Sequence, residues 1–185
     1  MAIIVMVYVF CHGVTSYMVL PVQSYFLGDI TIFASLIYLP HGVRVLSTWL
    51  LGWRAVVALA LGAFASEFLF TDADALALTG YALWLSVPVG ALSALAAFEI
   101  LRLLGASAYA GGARRMNWRQ LLMVGMLASV LNSIGQTIVF AGVISPGDQL
   151  TVVVTYALGD LIGQAVAMLV LMMVFRLLRF TASRV

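Results

Sequence analysis

Few side chains in this 185-residue sequence can do chemistry, and several of them fall inside long apolar stretches: His12, His41, Arg44, Asn132, Gln136, Asp160 and Gln164. A polar group held in lipid is costly unless it finds a partner, so each is a candidate for function. Asp160 is the strongest of them. A carboxyl at that depth must either carry a proton or face a cation. Arg44, one turn after His41, is the only arginine well inside such a stretch. Asn132 and Gln136 share a helix face, as do Asp160 and Gln164. Counting inward from the turn between these two stretches sets Gln136 opposite Asp160, and Asn132 opposite Gln164. Gly159 and Gly163 beside them have the spacing that lets helices approach closely. The two amides by themselves also suit plain interhelical hydrogen bonding. Linear counting places Arg44 about 13 Å further inward than Asp160. Contact between them therefore requires Pro40 and Gly42 to kink or unwind the chain; the alternative is an arginine that snorkels to the membrane interface.

Known chemistries fit these residues poorly. Ala157 to Asp160 reads ALGD, near the GxGD of intramembrane aspartyl proteases, but the first glycine is missing and no second aspartate sits at matching depth to share a proton. Ser16, Ser35 and Ser133 have no recognisable nucleophile motif. His12 and His41, on different helices, have the composition of an axial haem pair, and each equally suits a bond to a backbone carbonyl. Phosphate-binding glycine loops and metal-ligand spacings are missing from the sequence. The expectation is a non-enzymatic chain without a cofactor.

The elements that hold these residues follow from composition. The chain is 64% hydrophobic and 9% charged, with a mean hydropathy of +1.14. A soluble domain needs about 25% charged residues to coat its surface, so lipid must be the solvent. A soluble enzyme, a nucleic-acid-binding domain and, with Cys11 alone, a disulfide scaffold are excluded. The apolar runs are continuous rather than alternating, which selects helices over barrel strands. The reading is an all-α polytopic bundle, one integral membrane domain over 1–185, with about six spans at 2–20, 26–51, 53–70, 79–104, 119–143 and 150–178. Pro21 and Gln23 close the first span, and Gly52 reverses the chain after the second. Thr71 to Asp74 form an acidic turn, Gly105 to Arg119 a water-facing loop, and Ser145 to Asp148 the last turn. No internal repeat is evident.

With six spans, Arg54, Arg102, Arg114, Arg115, Arg119, Arg176, Arg179 and Arg184 all fall on one side, and Asp29, Glu67, Asp72, Asp74 and Asp148 on the other. The positive-inside rule then puts both termini in the cytoplasm. The first span has no basic lead-in and reads as uncleaved rather than as a signal peptide. Glu99 and Arg102 form an interfacial pair of little consequence, and Glu67 reaches water. Trp49, Trp53, Trp84 and Trp118, with several tyrosines, suit interfacial belts.

Two stretches resemble a family. Residues 39–64, LPHGVRVLSTWLLGWRAVVALALGAF, are similar to the first signature of membrane-associated sensor domains of the MASE type: Pro and Gly before an apolar helix, a Gly-Arg turn, and a helix ending in Gly-Ala. Residues 156–175, YALGDLIGQAVAMLVLMMVF, resemble the later Gly-Asp-x-x-Gly element. The matching positions are Pro40, Gly42, Gly52, Arg54, Gly62, Gly159, Asp160 and Gly163. Ala55 and Val56 stand where the family often has a proline. Such domains are helical input modules of bacterial signalling proteins, usually fused to kinase or cyclic-dinucleotide domains. The resemblance implies a sensor that passes its signal to a separate cytoplasmic or membrane partner.

Three functions are therefore in view. The first is a stand-alone inner-membrane sensor or ligand-binding module whose pocket gathers His41, Arg44, Asn132, Gln136, Asp160 and Gln164. The second is a small transporter, or the substrate-binding membrane component of an uptake system. The third is a structural subunit of a membrane complex.

Overall fold

A computed structural model describes residues 1–27, 35–71, 79–106, 108–111, 117–144, 147 and 149–182. Asp29, Asp72, Asp74, Arg114, Arg115, Ser145, Pro146, Asp148 and Arg184 lie outside them, so the paired arginines are not covered and the acidic turn and the last turn only partly. The described elements are all helices, with no strand among the described residues. The helices are α1 (Ala2–Val14), continued through a π-helical turn (Thr15–Val19) into α2 (Leu20–Leu27), then α3 (Leu39–Leu51), α4 (Arg54–Phe70), α5 (Tyr81–Leu103), α6 (Trp118–Val139) and α7 (Gln149–Ala182). Four helical stretches are long and apolar enough to cross a membrane: Ala2–Phe26, Tyr81–Leu103, Trp118–Val139 and Gln149–Leu177.

Two boundaries differ from the sequence reading, each for a local reason. Pro21 does not end the first helix, which runs on to Leu27. The proline ring would clash with the Tyr17 carbonyl in a regular α-helix; the wider π-turn immediately before it gives room. The expected span 26–51 is not one helix. Phe26 and Leu27 finish α2, residues 35–38 are non-helical, and α3 begins at Leu39, with Pro40 in its first turn. Proline is preorganised for that position, and its missing N–H has no helical partner to lose there. The expected 119–143 span ends a turn early, at Val139, and α6 opens on a reciprocal capping box between Asn117 and Gln120.

α3 is the hub. With 13 residues it is about 20 Å long, and it packs against α1, α4, α5, α6 and α7. Its Val43 joins Tyr8, Ala55, Leu59, Ala63 and Ala91 in one apolar cluster, while its Val45 joins Ala94, Phe98, Val124, Ala128 and Met168 in another. The many alanines let backbones come close, which is how helices gain packing where lipid removes the hydrophobic drive. By contrast, the far end of α7 exposes every residue from Leu169 to Leu177, nearly all of them apolar.

Candidate functional site

The site is built around the beginning of α3. Residues 35–38 are not helical and lie along α7, where the Tyr38 N–H donates to the Gly159 carbonyl at 2.9 Å. A side chain at Gly159 would run into the Ser35 carbonyl, and one at Gly163 into the Tyr38 carbonyl. These glycines therefore admit a non-helical backbone; the expected close approach of α6 is not their role. Gln23 adds a second tie, its Oε1 accepting the Leu36 N–H at 2.6 Å. Irregular backbone is tolerated inside a bundle when its polar groups find partners of this kind.

The segment delivers His41 to Asp160. His41 Nδ1 lies 3.3 Å from Asp160 Oδ2, with the two side chains 0% and 1% exposed. On the far side of the ring, Nε2 lies 3.2 Å from the Gly125 carbonyl on α6. A carbonyl only accepts, so Nε2 carries a hydrogen and donates it. Asn132 Nδ2 donates to the same Asp160 Oδ2 at 2.8 Å. Three helices thus converge on one carboxyl. Nε2 is committed to Gly125, and Nδ1 makes no hydrogen bond at this distance from Oδ2; one proton placed between them would bridge the pair.

The neighbouring amides are displaced by one turn from the sequence reading. Asn132, not Gln136, reaches Asp160. Gln136 Nε2 instead donates to the Ser86 carbonyl on α5 at 3.1 Å and to Asn132 Oδ1 at 3.4 Å. Gln164 Nε2 donates to the Leu121 carbonyl at 3.0 Å, its amide seated where a Gly125 side chain would be. Gly42 makes the matching room on α3, where a Cβ would meet Ala167. Gly52, with φ +59°, turns the chain after α3.

Arg44 points the other way. It is 4% exposed and does not snorkel. Its Nη2 donates to Tyr8 Oη at 2.7 Å and to Tyr38 Oη at 3.3 Å, and the guanidinium carbon lies 5.6 and 5.1 Å from the centres of those rings. A Cβ at Gly90 would stand 2.5 Å from Nη2, so α5 is notched for the guanidinium. Arg44 and Asp160 form no ion pair, and among the described residues no carboxylate pairs with Arg44. Its Nε and Nη1 are buried without a hydrogen-bond partner. His12 flanks this second cluster, its ring 6.0 Å from Tyr38 and stacked on Phe70 at 5.7 Å. His12 and His41, the two histidines considered for a haem, thus belong to different clusters, His41 with Nε2 on the Gly125 carbonyl.

No family model, no curated protein and no solved structure matches this chain. The site therefore rests on its own geometry. The sequence-selected residues divide into His41, Asn132, Gln136 and Asp160 in one connected network, Arg44 adjacent to it, and Gln164 on a separate bond. Tyr8 and Tyr38 were not singled out, because a tyrosine in an apolar helix reads as an interfacial residue. Tyr8 is fully buried instead. At the Gly52 turn, the Ala110 N–H donates to the Trp49 carbonyl at 2.9 Å, and Tyr109 donates to Glu99 at 2.7 Å. The expected Glu99–Arg102 pair is present at 2.8 Å. Burial, then the Glu99 carboxylate, push the Tyr109 phenol up from its ordinary range.

Proposed function

We propose that the chain is a multi-pass inner-membrane sensor or ligand-binding module with about six spans and cytoplasmic termini, in which the polar cluster at the start of α3 registers the ligand. The observation that carries this reading is the buried His41–Asp160 contact, which sets the first turn of a half-length helix against α7 at a distance that one proton can bridge. Gain or loss of that proton changes the hold on α3. At its other end α3 meets the 105–111 loop, beside Arg54 and Arg102, where a separate cytoplasmic or membrane partner would read the shift. The resemblance to MASE-type sensor domains supports the same assignment, since its two matching segments are the ones that carry His41 and Asp160. The six-span count takes α3 with the chain before it, and α4, as the two crossings beyond the four long helices.

The broken helix also suits a solute-binding component of an uptake system. One experiment separates these. A cell whose only copy carries Asp160→Asn is expected to show the phenotype of a deletion while the protein inserts at normal levels. A phenotype indistinguishable from the wild type overturns the reading. Uptake of labelled solute by vesicles holding this protein alone selects the transport reading.

A further inference from the structure

Two buried clusters, three residues apart on α3, differ in one respect: the first can change its charge by one proton and the second cannot. With one proton between them, His41 and Asp160 are together neutral, whichever of the two formally holds it. Arg44 never loses its charge. A guanidinium taken out of water is costly without a counter-charge, yet only phenol oxygens accept from Arg44 among the described residues. Its Nη2 hydrogens go to the two tyrosines, which leaves three N–H bonds on Nε and Nη1. Tyr8 and Tyr38 stand 3.2 Å apart, oxygen to oxygen, so one of their two hydroxyl hydrogens joins them and the other is available to a third partner. The remaining titratable groups facing this region are His12 on α1, Glu67 on α4, whose Oε2 accepts from Thr71, and Tyr156 on α7. From α5 and α6 come only neutral groups, Ser86, Gly90, Gly125, Asn132 and Gln136.

We infer that Arg44, framed by Tyr8 and Tyr38, receives a small carboxylate of single negative charge, and that this anion enters together with a proton taken up between His41 and Asp160. The inference rests on the ligand-binding reading above and names its ligand class. Guanidinium N–H bonds and a phenol hydroxyl are the donors that carboxylate oxygens take up best. Electroneutrality supplies the coupling. Without ligand or proton, Asp160 offsets Arg44; with both, the anion offsets Arg44 and the proton offsets Asp160. Either filling alone leaves a net charge in a medium that penalises it.

Calorimetric titration of the purified, bilayer-embedded protein with acetate, in buffers of different ionisation enthalpy, counts protons per anion bound. The expected result is an uptake of about one proton per acetate. Arg44→Gln weakens acetate binding about tenfold or more, and Arg44→Lys, which keeps the charge, restores part of it. Asp160→Asn keeps acetate binding but drops the proton count to zero, since the cluster is then permanently positive. Glu67→Gln leaves the count at one. A wild-type count of zero, or an undiminished count in Asp160→Asn, overturns the coupling. Chloride binding as tightly as acetate overturns the carboxylate. If acetate fails to bind while cells still require Asp160, the ligand class is wrong and the site stands; if cells do not require Asp160, the site itself falls.

Discussion

His41 Nδ1 stands 3.3 Å from Asp160 Oδ2 across the α3–α7 boundary, and the other ring nitrogen is already given to the Gly125 carbonyl. That pair of contacts holds the first turn of α3 against α6 and α7 at the molecule's centre.

Removing one member of this pair leaves the other buried alone. Asp160→Ala and His41→Ala are each expected to destabilise the fold by about 3 kcal/mol or more. Asp160→Asn, which can still accept from Asn132, costs less. Thermal unfolding in detergent gives the ranking, and a double variant at His41 and Asp160 loses less than the sum of the singles. Strict additivity would show that the two do not interact.

The glycine pair on α7 gives a sharper structural test. Gly163→Ala drives a methyl into the Tyr38 carbonyl, a backbone atom that cannot swing aside. A loss of about 1–3 kcal/mol follows. Gly142→Ala meets nothing within 4 Å and should fall within about 0.5 kcal/mol of the wild type. Equal effects in unfolding measurements would contradict the docking of residues 35–38.

How far this site was legible in the sequence depends on the kind of atom involved. Asp160, His41 and Arg44 stood out because an ionisable side chain in an apolar run is anomalous wherever the helices pack. Gly125 and Ser86 contribute backbone carbonyls, which every residue has, and no pattern of residue types marks them. The register error between Asn132 and Gln136 has a local cause. The count assumed a helix reaching 143, whereas α6 stops at Val139 and residues 140–144 form the turn, a shift of one helical turn. At 159 and 163 the glycine spacing predicts a close approach by α6, and residues 35–38 fill the space instead, because a glycine stripe is silent about whether helix or extended chain packs on it.

Tyr8→Phe keeps the ring that packs on Gly62 and deletes the oxygen that accepts from Arg44. A cost of about 1–2 kcal/mol is expected, as for other hydrogen bonds to charged groups in bundles. An unchanged unfolding midpoint would mean that Arg44 has another acceptor.

Tyr109 supplies a pH test at the loop. Its folded-state phenol is raised by burial and by Glu99, so the neutral form is favoured. The resulting stability is present below about pH 10, where the unfolded phenol begins to ionise, and is lost as pH rises through the folded value. Absorbance titration should show one tyrosine ionising late, and Glu99→Gln should bring it down. A Tyr109→Phe variant with the same late titration would reassign it.

Placement in the bilayer is read by labelling. Ala110→Cys, in a chain with Cys11 replaced, should react with a membrane-impermeant thiol reagent only from the cytoplasmic side, and Gly142→Cys only from the opposite side. Both reacting from one side would overturn the span count.

The most direct measurement is nitrogen-15 magnetic resonance of the two histidines, with His12→Ala assigning the signals. The account predicts that His41 Nε2 is protonated at every pH at which the protein is folded, and that the Nδ1 resonance moves when Asp160 becomes Asn. A His41 with Nε2 unprotonated, or an Nδ1 resonance indifferent to Asp160, would contradict the shared proton on which the account depends.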